Sequence, residues 1–182
     1  MKTSVLLAAA GIAIFGLGAA TTSFADTKAE IDANVAKTMT QFYSLHAANK
    51  SLAGKSAGML IFPKVTKAGI GIAGEHGQGV LQVNGKTVGY YSIGAASVGL
   101  TVGAGTHHEV IMFMTKESLD KFTGSDGWSI GADAGITIVQ AGTTGDYDTK
   151  TEQKPILGFI FGEKGLIGDL SLEGSKISKL KL

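Results

Sequence analysis

The sequence predicts an α+β domain, in which an N-terminal amphipathic helix packs on a glycine-rich, strongly coiled antiparallel β-sheet or partial barrel, with one further short helix. Three observations carry that expectation. A capping box followed by apolar residues at three- and four-residue spacing marks a helix. Beyond Gly54 the apolar period falls from 3.6 to 2, the signature of strands. The 182 residues contain 27 glycines against 2 prolines, a density that is either low-complexity or architectural, and the glycines fall at alternate strand positions.

The first 25 residues read as a leader rather than as part of the fold. Lys2 opens a short basic region, residues 5–20 are apolar or small, and Ser23-Phe24-Ala25 offers small residues at the positions a signal peptidase reads, with cleavage before Asp26. The run is too short and too alanine-rich for a membrane span. The expected mature chain is one domain, residues 26–182, with a helix over 26–50 and mainly β structure over 55–182. It is expected to be periplasmic or secreted and peripheral to a membrane.

All 16 basic residues are lysines, against 15 acids. Removing the leader takes away Lys2 and no acid, so the mature chain is formally neutral and lacks the basic field that a nucleic-acid partner requires. No cysteine is present, which excludes disulfides, thiolate metal sites, cysteine nucleophiles and a lipoprotein anchor.

Thr27-Lys28-Ala29-Glu30 is the capping box, and Ile31, Val35, Met39, Phe42, Leu45 and His46 continue the stripe to Ala48. That spacing predicts about six turns of helix lying on the domain core. Downstream, Gly69, Gly71 and Ala73 alternate with Ile70 and Ile72; Gly99, Thr101 and Gly103 alternate with Val98, Leu100 and Val102; Gly131, Asp133 and Gly135 alternate with Ala132, Ala134 and Ile136. Each glycine weakens a strand, so the missing side chains are expected to admit closely approaching backbone. Strands are placed at 57–62, 68–74, 79–83, 87–93, 96–103, 109–114, 130–140, 156–161, 167–172 and 176–180. Asn84-Gly85 is the strongest hairpin signal. A second helix is expected from Thr115, as N-cap, to Gly124, and residues 143–154 read as an exposed polar loop bounded by Pro155.

Few residues carry a chemical signature. Gly69-Ile70-Gly71-Ile72-Ala73-Gly74 matches GxGxxG, but a strand rather than a helix is expected after it, so the nucleotide reading fails on context. His107-His108-Glu109 and Glu75-His76 are the only acid–histidine clusters. Neighbouring strand residues face opposite ways, so His107 and His108 cannot share an ion without a bulge, and they read as a surface turn. Ser97 does not stand in a GxSxG context. Asp146-Tyr147-Asp148 lacks the ligand series of a calcium loop. No catalytic residue, metal site or cofactor is expected, and the chain reads as a non-enzyme.

The lysines are more informative. Lys50 and Lys55 flank the helix-to-sheet junction, Lys64 and Lys67 bracket the turn after Pro63, and Lys176, Lys179 and Lys181 crowd the C-terminus. Near an anionic bilayer each contributes about 1 kcal/mol, and without arginine the attraction is one of charge rather than bidentate phosphate clamping.

From Ser56 to Leu81 the sequence Ser-Ala-Gly-Met-Leu-Ile-Phe-Pro-Lys-Val-Thr-Lys-Ala-Gly-Ile-Gly-Ile-Ala-Gly-Glu-His-Gly-Gln-Gly-Val-Leu closely resembles the SYLF domain family. The resemblance continues through Gly89-Tyr90-Tyr91-Ser92, Ala96-Ser97-Val98-Gly99, Met112-Phe113-Met114, Gly127-Trp128, Gly131-Ala132-Asp133-Ala134, Leu172-Glu173-Gly174 and Lys176-Ile177. It implies a lipid-binding module without a catalytic motif, with bacterial members exported to the cell envelope. The expected function is therefore non-catalytic binding of anionic phospholipid or of a membrane surface, with Lys50, Lys55, Lys64 and Lys67 as the contact residues. The alternative is a structural or protein-interaction module with an envelope protein as partner.

Overall fold

The computed structural model describes residues 26–133, 135–140, 149–165 and 171–182. The expected leader and Asp146-Tyr147-Asp148 lie outside these residues, as does most of the strand expected over 167–172. The elements are α1 (Lys28–Leu45), α2 (Ala47–Lys55), β1 (Gly58–Val83), β2 (Lys86–Phe113), α3 (Lys116–Thr123), β3 (Trp128–Ser129), β4 (Thr137–Gln140), α4 (Thr149–Glu152), β5 (Ile156–Gly165) and β6 (Lys176–Leu180).

The capping box forms as expected: Thr27 Oγ1 accepts from the Glu30 amide, and the Glu30 carboxylate accepts from the Thr27 amide at 2.8 Å. The single long helix does not persist. His46 is extended (φ −154°, ψ 137°), ends α1 and caps α2, its Nδ1 accepting from the Ala48 amide at 3.1 Å. Asn49 donates from its side chain to the Phe42 carbonyl at 2.8 Å, which ties α2 to the last turn of α1. Helix α3 starts and stops where expected, between Thr115 and Gly124.

The six strands expected between residues 57 and 114 are two continuous ones, β1 and β2, joined at Asn84-Gly85 and paired antiparallel from Gly58↔Phe113 to Val83↔Lys86. The other edge of β2 pairs with β6 over Tyr90–Gly94 and with β5 over Gly105–Phe113. The described residues form a six-stranded sheet, strongly curled into a half-barrel. One pairing, β4 with β5, is parallel. The strand expected over 130–140 is interrupted, because Gly131 takes φ 94° and Asp133 turns the chain by accepting from the Ser129 amide.

Straight, the 26 residues of β1 would span about 85 Å. Instead the β1–β2 ribbon doubles back on itself. Gly77 rests against the Lys64 carbonyl, and Gly79 rests against the Ile61 carbonyl. The fold of the ribbon lies where Ile70 faces Val102 and Ile72 faces Val98, marked by a register shift and by positive φ at Gly71 (72°) and Gly103 (146°). Period-2 alternation then sorts the core into two layers. Leu60, Phe62, Ile111 and Phe113 point inside the doubled ribbon, where Phe122 and Trp128 close the cluster. Met59, Ile61, Val110 and Met112 point outward, under Ile31, Val35, Met39 and Phe42 of α1.

Candidate functional site

Three features lie along the folded end of the ribbon. The first is the fold itself. Residues 68–74 and 94–106 contain no charged side chain, and Ile70, Ile72 and Val98 stand 82%, 66% and 83% exposed. At the bend nothing among the described residues covers these bulky side chains, so they point to solvent.

The second feature is a basic cleft of about 370 Å³ on the outer face, between α1 and the sheet. Lys37, Thr38 and Gln41 come from α1, Pro63 and Lys64 from β1, Thr106 and His108 from β2, and Lys164 from β5. Thr106 pairs with Thr66 on one side and Lys164 on the other, which sets the lysines of β1 and β5 on either side of β2. Among the described residues no carboxylate lines the cleft. His108 is held neutral, its ring pushed below the ordinary histidine range by burial and then by the charge of Lys164 and by His107. Its Nδ1–H donates to the Pro63 carbonyl at 2.5 Å. Gly162 (φ 67°) makes room for the ring, since a Cβ there would run into His108. Four rungs separate Thr106 from Val102, so the cleft sits about 13 Å behind the apolar fold.

The third feature is a buried polar cluster on the inner face of the same rungs. His107 and Glu109, two apart on β2, are 1% and 0% exposed and share a bond of 2.7 Å between Nε2 and Oε1. Lys67 and Glu75, from the outgoing and returning halves of β1, pair at 2.8 Å. One ligand atom each from Glu75, His107 and Glu109 lies within 4.8 Å of the others. The expected surface turn at His107-His108 is thus corrected: both lie in β2, and alternation sends His107 inward and His108 to the cleft.

Burial pushes the Glu109 carboxyl above its ordinary value of 4.5; the bond and charge of His107 oppose this, and the charge of Glu75 adds to it. The folded chain therefore holds this proton to higher pH than the unfolded chain does. Stability from this group is complete below about 4.5 and is lost as pH rises through the folded value. With chelator present, the melting temperature is expected to rise as pH falls from neutrality toward the ordinary carboxylate range. The Glu109 contribution is at most about 1.4 kcal/mol per pH unit. Glu109→Gln should flatten this rise, and an unchanged pH profile in the variant would show that Glu109 does not carry the linkage.

The structure divides the four lysines expected to act together. Lys64 is exposed and lines the basic cleft. Lys67 is buried in its pair with Glu75, because the register shift between Phe62 and Val65 turns it inward. Lys50 and Lys55 are exposed on α2, and Lys50 lines a separate cleft of about 330 Å³ with Tyr43, Gln82 and Asn84, at the hairpin end of the ribbon. Lys37 and Lys164, which join Lys64, lie 27 and 100 residues from it in sequence. Their proximity depends on α1 crossing the sheet and on the β2–β5 pairing, and neither was visible as a local motif.

No helix among the described residues is long and apolar enough to cross a membrane. No curated protein matches the chain. A family model described as "Ysc84: Las17-binding protein actin regulator" matches residues 94–181, from the middle of β2 through β6. The match leaves out the stretch at Ser56–Leu81, so the resemblance there stands on its own residues. The SYLF domain is a binding domain associated with lipid binding and actin regulation, and it is not known as an enzyme. Over residues 94–181 the chain matches the model of the SYLF (Ysc84) domain family, which supports the resemblance read from its sequence.

Proposed function

We propose that the protein binds the surface of an anionic phospholipid membrane, without catalysis, in the periplasm of a bacterial cell envelope. The observation that carries this reading is an uncharged apolar fold (Ile70, Ile72, Val98) with a three-lysine cleft (Lys37, Lys64, Lys164) about 13 Å behind it. Apolar groups that enter a bilayer interface settle about 5–10 Å into the headgroup and acyl boundary. With the fold at that depth, the cleft faces the phosphates, where each lysine contributes about 1 kcal/mol. Lys50 and Lys55 lie near the far end of the ribbon and add a second, weaker contact if the domain lies flat. Lys67 acts by holding the fold in shape through Glu75.

Co-sedimentation with vesicles tests this. Binding to vesicles containing phosphatidylglycerol should exceed binding to phosphatidylcholine alone and should weaken with added salt. Lys64→Glu with Lys164→Glu should lower it at least tenfold, since two charges are reversed, a net change of four units at about 1 kcal/mol each before screening. Equal, salt-insensitive binding to both vesicles, or none, would overturn the reading.

A protein partner is the second reading. The outer edge of β1 has no strand neighbour among the described residues, and such an edge can accept an added strand. A stoichiometric crosslink to an envelope protein through β1, with no vesicle affinity, would favour it.

A further inference from the structure

We propose that Glu75, His107 and Glu109 form a buried site for a first-row divalent cation of the zinc class, inside the folded end of the ribbon. The inference is independent of the lipid reading, because these side chains face away from the basic cleft.

The three ligand atoms already converge. Around one zinc in tetrahedral array, ligand atoms bonded at about 2.1 Å lie about 3.4 Å apart. The three here lie within 4.8 Å of one another, so closure needs side-chain shifts of about 1 Å. The cluster is also incompletely satisfied. His107 Nδ1 and Glu109 Oε2 are buried with no hydrogen-bond partner among the described residues. A purely structural network of two ion pairs accounts for His107 Nε2, Glu109 Oε1, Lys67 and Glu75, and leaves these buried atoms without a role.

The donor set points the same way: two carboxyl groups and one imidazole converge, and the one ammonium, from Lys67, pairs with Glu75. One nitrogen and two carboxylate oxygens form a borderline donor set, suited to zinc and its neighbours. Calcium or magnesium would require more oxygen ligands. Glu75 comes from the returning half of β1 and the other two ligands from β2, so the ion would staple the ribbon where it doubles, with entry past the partly exposed Glu75.

Chelator-treated full chain titrated with Zn²⁺ and with Co²⁺ tests the proposal. One equivalent should bind, the melting temperature should rise, and Co²⁺ should give a visible d–d absorption band. Affinity should increase with pH as the ligands lose protons. Ca²⁺ and Mg²⁺ should leave the melting temperature unchanged. Glu109→Gln, which keeps the shape and removes the charge, should weaken binding at least tenfold. Lys67→Met should tighten it about tenfold, because the ammonium competes with the ion for Glu75; a merely structural cluster would show no such gain. Absence of saturable binding of either ion, or binding unchanged by Glu109→Gln, would overturn the proposal. If Lys67→Met fails to fold, the Glu109→Gln titration decides alone.

Discussion

Replacing Gly79 by alanine is expected to destabilise the protein by about 3 kcal/mol or more, and by leucine to abolish cooperative folding. Gly79 has no unusual backbone angle that reserves the position for glycine. Its restriction is one of space: a Cβ there would overlap the Ile61 carbonyl oxygen and stand 2.7 Å from the Phe62 ring and 2.8 Å from the Ile61 carbonyl carbon. Carbonyls of a paired strand cannot move aside without breaking the ladder between Ile61 and Val110. For a chain of this length, 3 kcal/mol corresponds to about 10 °C in melting temperature, against a total stability of order 5–15 kcal/mol. Gly74, five residues earlier on the same strand, is the control. A Cβ there meets nothing within 4 Å, so Gly74→Ala should leave the melting temperature within a few degrees or raise it slightly. If Gly79→Ala and Gly74→Ala melt together, the two halves of β1 do not pack as described.

The glycine excess shows how far the sequence could be read. Alternation of small and branched residues correctly implied strongly coiled strands with close backbone approach. The positions singled out for that approach were Gly69, Gly71, Gly99, Gly103, Gly131 and Gly135, and of these Gly69 does lie against the Ile72 carbonyl and Ala73. Gly71 and Gly131 instead carry positive φ, and Gly135 has open space around it. Close contacts also fall at Gly77 and Gly79, where one half of a strand meets its own other half. A contact between residues 61 and 79 of one strand leaves no local trace, because it depends on where the ribbon folds. The same limit explains the strands: six short runs were expected because glycine reads as an interruption, whereas the ladder passes through every gap except three register shifts.

The helix break and the polar residues were illegible for related reasons. His46 satisfied the apolar stripe as a side chain while its backbone left the helix, and neither glycine nor proline marks the place. Glu109 read as a surface acid because charge normally implies solvent. Alternation with Ile111 and Phe113 placed it on the inner face, and that pattern was available in the sequence. Lys37 shares α1 with Glu30 and Asp32, an arrangement that reads as local charge balance. Asp32 in fact accepts hydrogen bonds from Tyr90 at 2.8 Å and Thr87 at 3.3 Å, away from the cleft that Lys37 lines.

Ile70→Asp combined with Val98→Asp is expected to lower affinity for anionic vesicles about 100-fold while leaving the fold intact. Both side chains are more than four-fifths exposed, and substitutions at such positions usually change stability by no more than about 0.5 kcal/mol. Each branched side chain contributes about 1.5–3 kcal/mol when fully withdrawn from water. Partial burial of two at the bilayer interface therefore amounts to about 3 kcal/mol, or two orders of magnitude in affinity. Aspartate also opposes the anionic surface, which adds to the effect. The comparison with Lys64→Glu and Lys164→Glu separates two contributions. The lysine variant should lose the preference for anionic over zwitterionic vesicles, whereas the aspartate variant should lose affinity for both kinds of vesicle. A double aspartate variant that sediments with vesicles as the wild type does would show that the fold of the ribbon stays in water. The cleft would then have to act through charge alone, and three exposed lysines at about 1 kcal/mol each would give binding that disappears at physiological salt.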